Sequence, residues 1–242
     1  MKRLIFQVYL PIRGKSNLYD LCTESVKNYC KKYDIDYVQL TEPKLAIEPD
    51  PKRHNRNKVG LMKEAGERFN RPGFLPIFEK EWAFTYLDDY DQICIIDADI
   101  YVRESAPNIF DELPEEYDFG GMVERDQPLT HGHLNKIKTY SEGMFKGLKD
   151  VDWKWNKGGA EFMNMGLMLF NKSLGKHLNG QTPEQFIRRP EFKDMVDGIG
   201  LYRYSTDQVL LNYWLKKSGA KVKNLSWKWN AMYRGTKEDK IS

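Results

Sequence analysis

Two carboxylates follow an apolar run near the middle of the chain. Residues 93–96 read Ile-Cys-Ile-Ile, and Asp97 and Asp99 come directly after them, separated by Ala98. Alternate residues of a β-strand point to the same side, so we expect Asp97 and Asp99 to project together. Two neighbouring carboxylates raise each other's pKa unless a cation lies between them. The pattern therefore predicts a site for Mn²⁺ or Mg²⁺, which prefer oxygen ligands.

A surface turn is the alternative interpretation of the same motif. In that case one aspartate caps the next element and the other faces water. The turn is favoured for an isolated Asp-x-Asp, because the motif is short and common. Here the preceding apolar strand favours the metal site, since ligands bind outside the carboxyl ends of strands in open α/β sheets.

Strand-like and helix-like segments alternate along the chain. Six apolar or β-branched runs predict strands: RLIFQVYL, IDYVQL, QICIIDADIYV, FGGMV, EFMNMGLMLFN and KVKNL. Helices are predicted behind Ser16 or Asn17, from Pro76 to about residue 90, and from the N-cap Thr206 to Gly219, while residues 41–75 form a loop or short helix. The alternation predicts an α/β fold with a mostly parallel central sheet and helices on both faces, as one domain over residues 1–242.

The first helix is predicted from six side chains that share one face at helical spacing. They are Leu18, Leu21, Cys22, Ser25, Val26 and Tyr29.

Composition excludes several classes of function. The net charge is +3 and no long basic run occurs, which argues against a nucleic-acid partner. The amino terminus is too short and too polar for a signal peptide, and no stretch is long enough to span a membrane. The three cysteines form no metal-binding pair, so we expect reduced, buried thiols in a cytoplasmic protein.

Four segments, in order, resemble those of nucleotide-sugar glycosyltransferases of the GT-A fold. The closest resemblance is to glycosyltransferase family 8, with its glycogenin-like and lipopolysaccharide-galactosyltransferase-like members. The segments read FEKEWAFTYLDDY, YDQICIIDADIYVRESAPNIFDEL, EFMNMGLMLFNKS and STDQVLLNYWL. The resemblance implies an enzyme that moves a sugar from a nucleotide sugar, with UDP favoured, to a hydroxyl of a glycan, lipid-linked sugar or protein. It also favours retention of the anomeric configuration.

The resemblance assigns roles to the first two segments. Asp97 and Asp99 would hold Mn²⁺ or Mg²⁺ against the donor diphosphate, with Ala98 in the same donor-binding segment. Lys80 would contact the donor phosphate or sugar. The alternative for Lys80 is a lysine that lies along the core and extends its ammonium group to water.

Polar residues near other predicted strand ends complete the implied donor site. By the resemblance, Asn164 binds sugar hydroxyls and Gly166 allows close approach of the backbone, whereas a β-bulge is the structural alternative. Tyr9, at the end of the first predicted strand, would stack on the base; a core tyrosine is the alternative.

Asp207 and Gln208 open the last helix. The resemblance places them beside the anomeric carbon, with Asp207 binding hydroxyls and Gln208 stabilising positive charge through its carbonyl. Asp207 also has a structural explanation, since an acid in the first turn interacts favourably with the helix dipole.

The segment 124–159 contains four side chains of interest for an acceptor. Trp153 and Trp155 either face a sugar or hold the segment to the body of the protein. His131 and His133 have no acid or cysteine at supporting spacing and are expected on the surface.

One expected feature of the family is missing. Its members supply a third metal ligand from a histidine near the carboxyl terminus, and no histidine follows His177 here. Either water or another residue fills that position, or the chain lacks a carboxyl-terminal segment. Two other functions stay open: a sugar-1-phosphate nucleotidyltransferase, with PIRGKSN as its glycine-containing loop, and a nucleotide- or carbohydrate-binding domain with little turnover.

Overall fold

The computed structural model describes residues 1–12, 17–53, 61–232 and 235–237. The strands are β1 (Arg3–Val8), β2 (Asp36–Leu40), β3 (Gln92–Asp97), β4 (Phe119–Val123), β5 (Met163–Asn171) and β6 (Val222–Asn224). The α-helices are α1 (Asn17–Tyr33), α2 (Leu61–Phe69), α3 (His131–Phe145), α4 (Pro183–Ile187), α5 (Lys193–Asp197) and α6 (Asp207–Ser218). The 3₁₀ segments are Pro76–Tyr86, Ile109–Glu112, Glu124–Asp126, Lys172–Leu178, Pro190–Phe192, Gly200–Tyr204 and Trp227–Asn230.

All six strands lie in one sheet, in the order β2-β1-β3-β5-β4-β6. β5 is antiparallel to both of its neighbours, and the other pairs are parallel. Every strand except β5 therefore runs in the same direction, which confirms the prediction of a mostly parallel sheet.

The reversal of β5 brings its beginning to the carboxyl edge of the parallel strands. Ile96 of β3 pairs with Leu167 of β5, so Asp97 lies beside Gly166. Val8 at the end of β1 pairs with Asp97 on the other side. Three predicted site segments thus meet at one edge of the sheet, although they lie far apart in the chain.

Two hydrophobic clusters cover the two faces of the sheet. Phe6 and Ile95 belong to the cluster that includes α6, whereas Ile5 and Cys94 belong to the cluster that includes α1. This alternation is the two-residue period of a strand with both faces buried. The prediction of helices on both faces is confirmed, and Cys22, Cys30 and Cys94 are buried free thiols, as expected.

The first helix buries a different stripe from the one predicted. Cys22, Val26 and Tyr29 are buried, but Leu18 and Leu21 are each 58% exposed. All residues from 17 to 21 are exposed, so the first turn of α1 extends beyond the core that its later turns cover. The helix begins at Asn17; Ser16, the other predicted cap, lies outside the described residues, as does most of the predicted glycine-containing loop.

Other segments also differ in detail. The predicted helix from Pro76 is a 3₁₀ segment that ends at Tyr86. The predicted loop or short helix at residues 41–75 contains α2. Within the described ranges, no helix combines the length and the apolar character needed to cross a membrane.

The last helix agrees with its sequence signals and is anchored to β5. The Thr206 side chain accepts a hydrogen bond from the backbone N–H of Gln208, and Gly219 ends the helix with a φ of 70°. The buried Asn212 side chain accepts from the backbone N–H of Met163 at 2.7 Å and donates to its carbonyl at 2.8 Å. Since Met163 begins β5, Asn212 fixes the start of α6 relative to that edge of the sheet.

We predict that Asn212→Leu destabilises the protein by about 2–4 kcal/mol, because it leaves two buried backbone groups of Met163 without partners. Urea denaturation followed by circular dichroism measures the change. Ser218→Ala is the control, since it removes only a bond to a carbonyl of the same helix. Equal stability of the two variants would contradict the anchoring role of Asn212.

Candidate functional site

Polar side chains from separate elements converge at the carboxyl edge described above. We call this group the edge site, and it consists of Lys80, Asp97, Asp99, Glu124, Asn164, Asp207, Gln208 and Asn230. The short connections after β3 and β4, the first residues of β5 and the first turn of α6 supply most of it. Ligands bind at this edge in open α/β sheets.

Asp97 and Asp99 do not share a strand face, in contrast to the prediction. β3 ends at Asp97, and the chain turns there, with the Ile100 N–H donating to the Asp97 carbonyl at 3.1 Å. Ala98 and Asp99 lie within this turn, so strand alternation does not determine their directions. Asp99 is exposed, while Asp97 keeps 38% of its side chain exposed.

The Lys80 ammonium group joins three elements of the site. Its Nζ lies 2.7 Å from Asp207 Oδ2 and 3.1 Å from Asp97 Oδ1, and it donates to the Met165 carbonyl at 2.9 Å. Only 12% of the Lys80 side chain is exposed, so the alternative in which its ammonium group reaches bulk water is wrong. Lys80 therefore ties the end of β3 to the start of α6 and to β5.

Burial and charge set the pKa values around Lys80. Burial opposes the ammonium form, but Asp207 and Asp97 raise the pKa of Lys80, so it stays charged. Burial raises the pKa of Asp97 to about 6, against the lowering effect of Lys80 and with further increases from Asp207 and Asp99. Among the described residues, Lys80 is the cation paired with Asp97 and Asp207. Two carboxylates therefore share one positive charge.

Glu81 adds a buried acid next to this group. It is 1% exposed, and neither carboxyl oxygen has a hydrogen-bond partner among the described residues. Burial raises the pKa of Glu81 well above its usual 4.5, and Asp207 raises it further, while Lys80 opposes the shift. Burial therefore favours the neutral form of Glu81 close to the site.

Gly166 lies where three polar side chains meet. A Cβ atom on this residue would lie 3.0 Å from Asn164 Oδ1 and 3.2 Å from both Asn230 Nδ2 and Asp97 Oδ2. Asn164 Oδ1 accepts from the Gly166 N–H and from Asn230 Nδ2, each at 2.8 Å. A Cβ atom here would crowd these polar side chains, so the packing favours glycine.

The surroundings of Asn164 are compatible with both interpretations of this segment, the sugar-binding site and the β-bulge. Asn164 lies inside β5, within the strand predicted from EFMNMGLMLFN, and its side chain takes part in the edge site. The pairing of β4 with β5 shifts register between Gly120 and Met122, so the irregularity expected for a bulge is also present.

Gln208 is oriented by a carboxylate that the sequence analysis did not single out. Its Nε2 donates to Glu124 Oε2 at 3.0 Å, and the side chain of Asn164 donates to the same carboxylate. Glu124 is 8% exposed, and burial raises its pKa against these two hydrogen bonds. Asp207, which precedes Gln208, is 5% exposed and is held by Lys80.

The remaining predicted residues lie around this centre. Tyr9 belongs to neither core cluster; it follows β1, and its ring meets the edge of Tyr19 at 5.5 Å. Trp153 is buried and stacks on Phe145 at 4.2 Å, so it holds its segment to the body, whereas Trp155 is 44% exposed.

The two histidines begin α3. His131 contacts the Asn135 side chain through Nε2 at 3.2 Å. In the part of the chain that the structure describes, no group of three or more His, Cys, Asp or Glu side chains is placed to hold a metal ion.

A divalent cation fits the donor chemistry of Asp97 and Asp99. Lys80 contacts Oδ1 of Asp97. The other carboxylate oxygen, Oδ2, lies 3.2 Å from the point that a Cβ atom on Gly166 would occupy. Asp99 raises the pKa of Asp97, which means that the two carboxylates are close enough to repel. Both features favour a cation with oxygen ligands at this place.

Sequence reasoning missed Glu81, Glu124 and Asn230. A usable signal existed for Glu124, which directly follows β4 and so lies at the same sheet edge as Asp97. No sequence pattern pointed to Asn230. Its place in the edge site depends on a contact with Asn164, which is far away in the chain, and Asn230 itself lies in a short 3₁₀ segment. The sequence around Glu81 shows only alternating charges, Glu-Lys-Glu, and this pattern is typical of an exposed helix, so it gave no sign of burial.

Replacing Glu81 by Gln tests whether this buried acid is neutral. The folded state retains a proton that the unfolded chain releases above pH 4.5, so wild-type stability falls as pH rises from 4.5 toward the folded-state pKa. Glu81→Gln removes this loss, which amounts to at most about 1.4 kcal/mol per pH unit. Its unfolding free energy relative to wild type should therefore increase between pH 5 and pH 8.

The exposed Glu142→Gln is the control, and we expect it to show no such trend in the same denaturation series. A Glu81→Gln variant whose relative stability falls with rising pH would show that Glu81 is ionised in the folded protein.

Comparison with known proteins identifies the fold. No protein-family model and no curated protein matches the chain. Galactosyltransferase LgtC, solved in complex with donor and acceptor sugar analogs, is 12% identical over 93% of this chain and 74% of its own, with a TM-score of 0.50. The apo bifunctional glycosyltransferase WbbM has the same identity and TM-score, over 94% of this chain and 39% of its own. The chain therefore has the α/β fold of these glycosyltransferases, the GT-A fold that its motifs predict.

Proposed function

We propose that the protein is a metal-dependent glycosyltransferase. It transfers a sugar from a nucleotide-sugar donor, with UDP as the favoured nucleotide, to a hydroxyl of a carbohydrate-bearing acceptor. The edge site binds the donor. Retention of the anomeric configuration is part of the proposal and rests on the motif resemblance.

The observation that carries the proposal is the convergence around Lys80. One buried ammonium group links Asp97, at the end of β3, with Asp207, at the start of α6. Perturbed and buried charges that meet at a ligand-binding edge of the sheet are typical of functional sites. The residues that meet here come from the segments whose sequence resembles glycosyltransferases, which supports the same function.

Asp97 and Asp99 are the proposed metal ligands. Mn²⁺ or Mg²⁺, when bound there, supplies Lewis-acid stabilisation of the charge on the departing nucleoside diphosphate. The Asn230 side chain lies near Asp97, since Asp97 Oδ2 and Asn230 Nδ2 are both 3.2 Å from the Cβ position that Gly166 leaves empty. Asn230 Nδ2 donates to Asn164 Oδ1, which leaves its amide oxygen as the candidate neutral ligand. An amide oxygen from Asn230 would then be the third protein ligand, with water and phosphate oxygens completing the ligand set.

Three other residues of the edge site, Asp207, Asn164 and Gln208, are the proposed contacts of the sugar. We expect Asp207 and Asn164 to form hydrogen bonds with sugar hydroxyls. Gln208 presents its carbonyl oxygen where positive charge develops at the anomeric carbon, which is electrostatic stabilisation by a pre-oriented dipole. Lys80 pairs with Asp207 and Asp97 and fixes their positions. Tyr9 is the proposed stacking partner of the base.

The fold adds support at the level of architecture. LgtC, with a TM-score of 0.50, was solved with donor and acceptor sugar analogs. An acceptor site beside the donor is therefore a reasonable expectation for this chain. The exposed Trp155 offers an aromatic face for such a sugar.

The donor site is tested by thermal shift with UDP, GDP and CDP sugars, each with and without Mn²⁺. We predict stabilisation by one nucleotide sugar only when Mn²⁺ is present, and a loss of at least about tenfold in its affinity in Asp99→Ala, since one metal ligand is removed. Asp89→Ala is the control, because it removes an exposed carboxylate outside the edge site. Metal-independent stabilisation, equal in both variants, would contradict the metal site.

The same samples decide between the alternatives. Transfer or slow hydrolysis of the stabilising nucleotide sugar supports the enzyme. Stabilisation by nucleoside triphosphates with sugar 1-phosphates favours a nucleotidyltransferase, and binding without any turnover identifies a binding domain.

Gly166→Ala tests the close packing within the donor site. The added methyl group would press on Asn164, Asn230 and Asp97, so we expect nucleotide-sugar affinity to fall by about tenfold or more. Isothermal titration calorimetry measures the affinity. Gly175→Ala is the matched control, since its nearest contact would be an ordinary 3.8 Å. Unchanged affinity in Gly166→Ala would show that the donor does not use this side of the site.

A further inference from the structure

Glu124 is a buried carboxylate that the donor contacts proposed above do not use. It begins the 3₁₀ segment after β4, and its backbone N–H donates to the Phe162 carbonyl at 3.0 Å. This bond fixes the backbone beside the start of β5. The Glu124 side chain then reaches the first turn of α6, where its Oε2 accepts from Gln208 Nε2.

An ionised carboxylate only accepts hydrogen bonds, and this property restricts its two amide partners. Gln208 must turn its NH₂ group toward Glu124, so its carbonyl oxygen faces away. The Asn164 side chain is restricted in the same way, and its Oδ1 faces Gly166 and Asn230 instead. Because Nε2 is bonded to Glu124, Oε1 is the end of the Gln208 amide that is left to face a ligand.

The backbone fixes where Gln208 starts, but it does not fix which end of the amide faces the site. The two ends of a glutamine amide have similar size and opposite polarity. A carbonyl oxygen stabilises a developing positive charge, whereas an NH₂ group at the same place destabilises it. The choice between them therefore matters for catalysis much more than for packing.

We propose that Glu124 is a positioning residue that orients the Gln208 amide so that its carbonyl oxygen faces the anomeric carbon of the donor. The inference rests on the proposed glycosyltransferase function. It adds to that function a residue that acts through Gln208 and does not touch the donor.

The test is Glu124→Gln, which keeps the shape of the side chain but can accept or donate. The Gln208 amide is then no longer forced into one orientation. We expect kcat to fall by about tenfold to a hundredfold, with the donor KM and the Mn²⁺-dependent thermal shift by UDP nearly unchanged. Asp126→Asn is the control, because it makes the same carboxyl-to-amide change at an exposed position of the same 3₁₀ segment.

A charge-swapped double variant separates orientation from simple loss of a side chain. Gln208→Glu alone brings a second carboxylate against Glu124 and removes the 3.0 Å hydrogen bond between the two side chains. Adding Glu124→Gln restores a donor facing an acceptor. We expect kcat of the double variant to exceed that of Gln208→Glu by at least about tenfold, since the restored bond again turns an oxygen toward the donor.

A third readout does not depend on activity. In a ¹⁵N-edited spectrum, an amide proton of Gln208 that is bonded to a carboxylate should resonate downfield, and it should move upfield in Glu124→Gln. If the wild type shows this signal and binds UDP with Mn²⁺ but transfers no sugar, the proposed function fails while the orienting contact remains.

Three results would overturn the inference itself. An unchanged kcat in Glu124→Gln would show that orientation of the amide is unimportant. A rise in donor KM with unchanged kcat would make Glu124 a substrate contact. A sugar trapped covalently on Glu124 would make it a catalytic group.

Discussion

The structure depends on one buried ammonium group at the edge of the sheet. Without Lys80, the carboxylates of Asp97 and Asp207 would face each other in a largely buried space, which costs several kcal/mol per uncompensated charge. With it, the end of β3, the beginning of β5 and the first turn of α6 are held together. The antiparallel course of β5 makes this contact possible, because it brings Met165 to the carboxyl edge.

The same contact leaves the site with more negative than positive charge. Lys80 is shared by Asp97 and Asp207, and Asp99 adds a further carboxylate nearby. Two features reduce this electrostatic cost: burial raises the pKa of Glu81, which favours its neutral form, and Glu124 accepts hydrogen bonds from neutral amides. The remaining imbalance at Asp97 and Asp99 is the physical basis for proposing a divalent cation there, and it explains why the acids can stand at the end of a buried strand.

The sequence predicted the parts of the molecule that depend on local patterns. Apolar periodicity located the strands, Thr206 and Gly219 marked the ends of α6, and the Asp-x-Asp after β3 marked the ligand-binding edge. It could not predict the turn that separates Asp97 from Asp99. It also gave no pattern for Asn230, whose role depends on contacts between residues far apart in the chain.

A crystal structure with UDP and Mn²⁺ tests the central claim most directly. We expect Mn²⁺ in contact with both Asp97 and Asp99, the diphosphate on that metal, and Lys80 still bridging Asp97 and Asp207. A nucleotide bound away from this edge of the sheet, or a metal held without either aspartate, would contradict it.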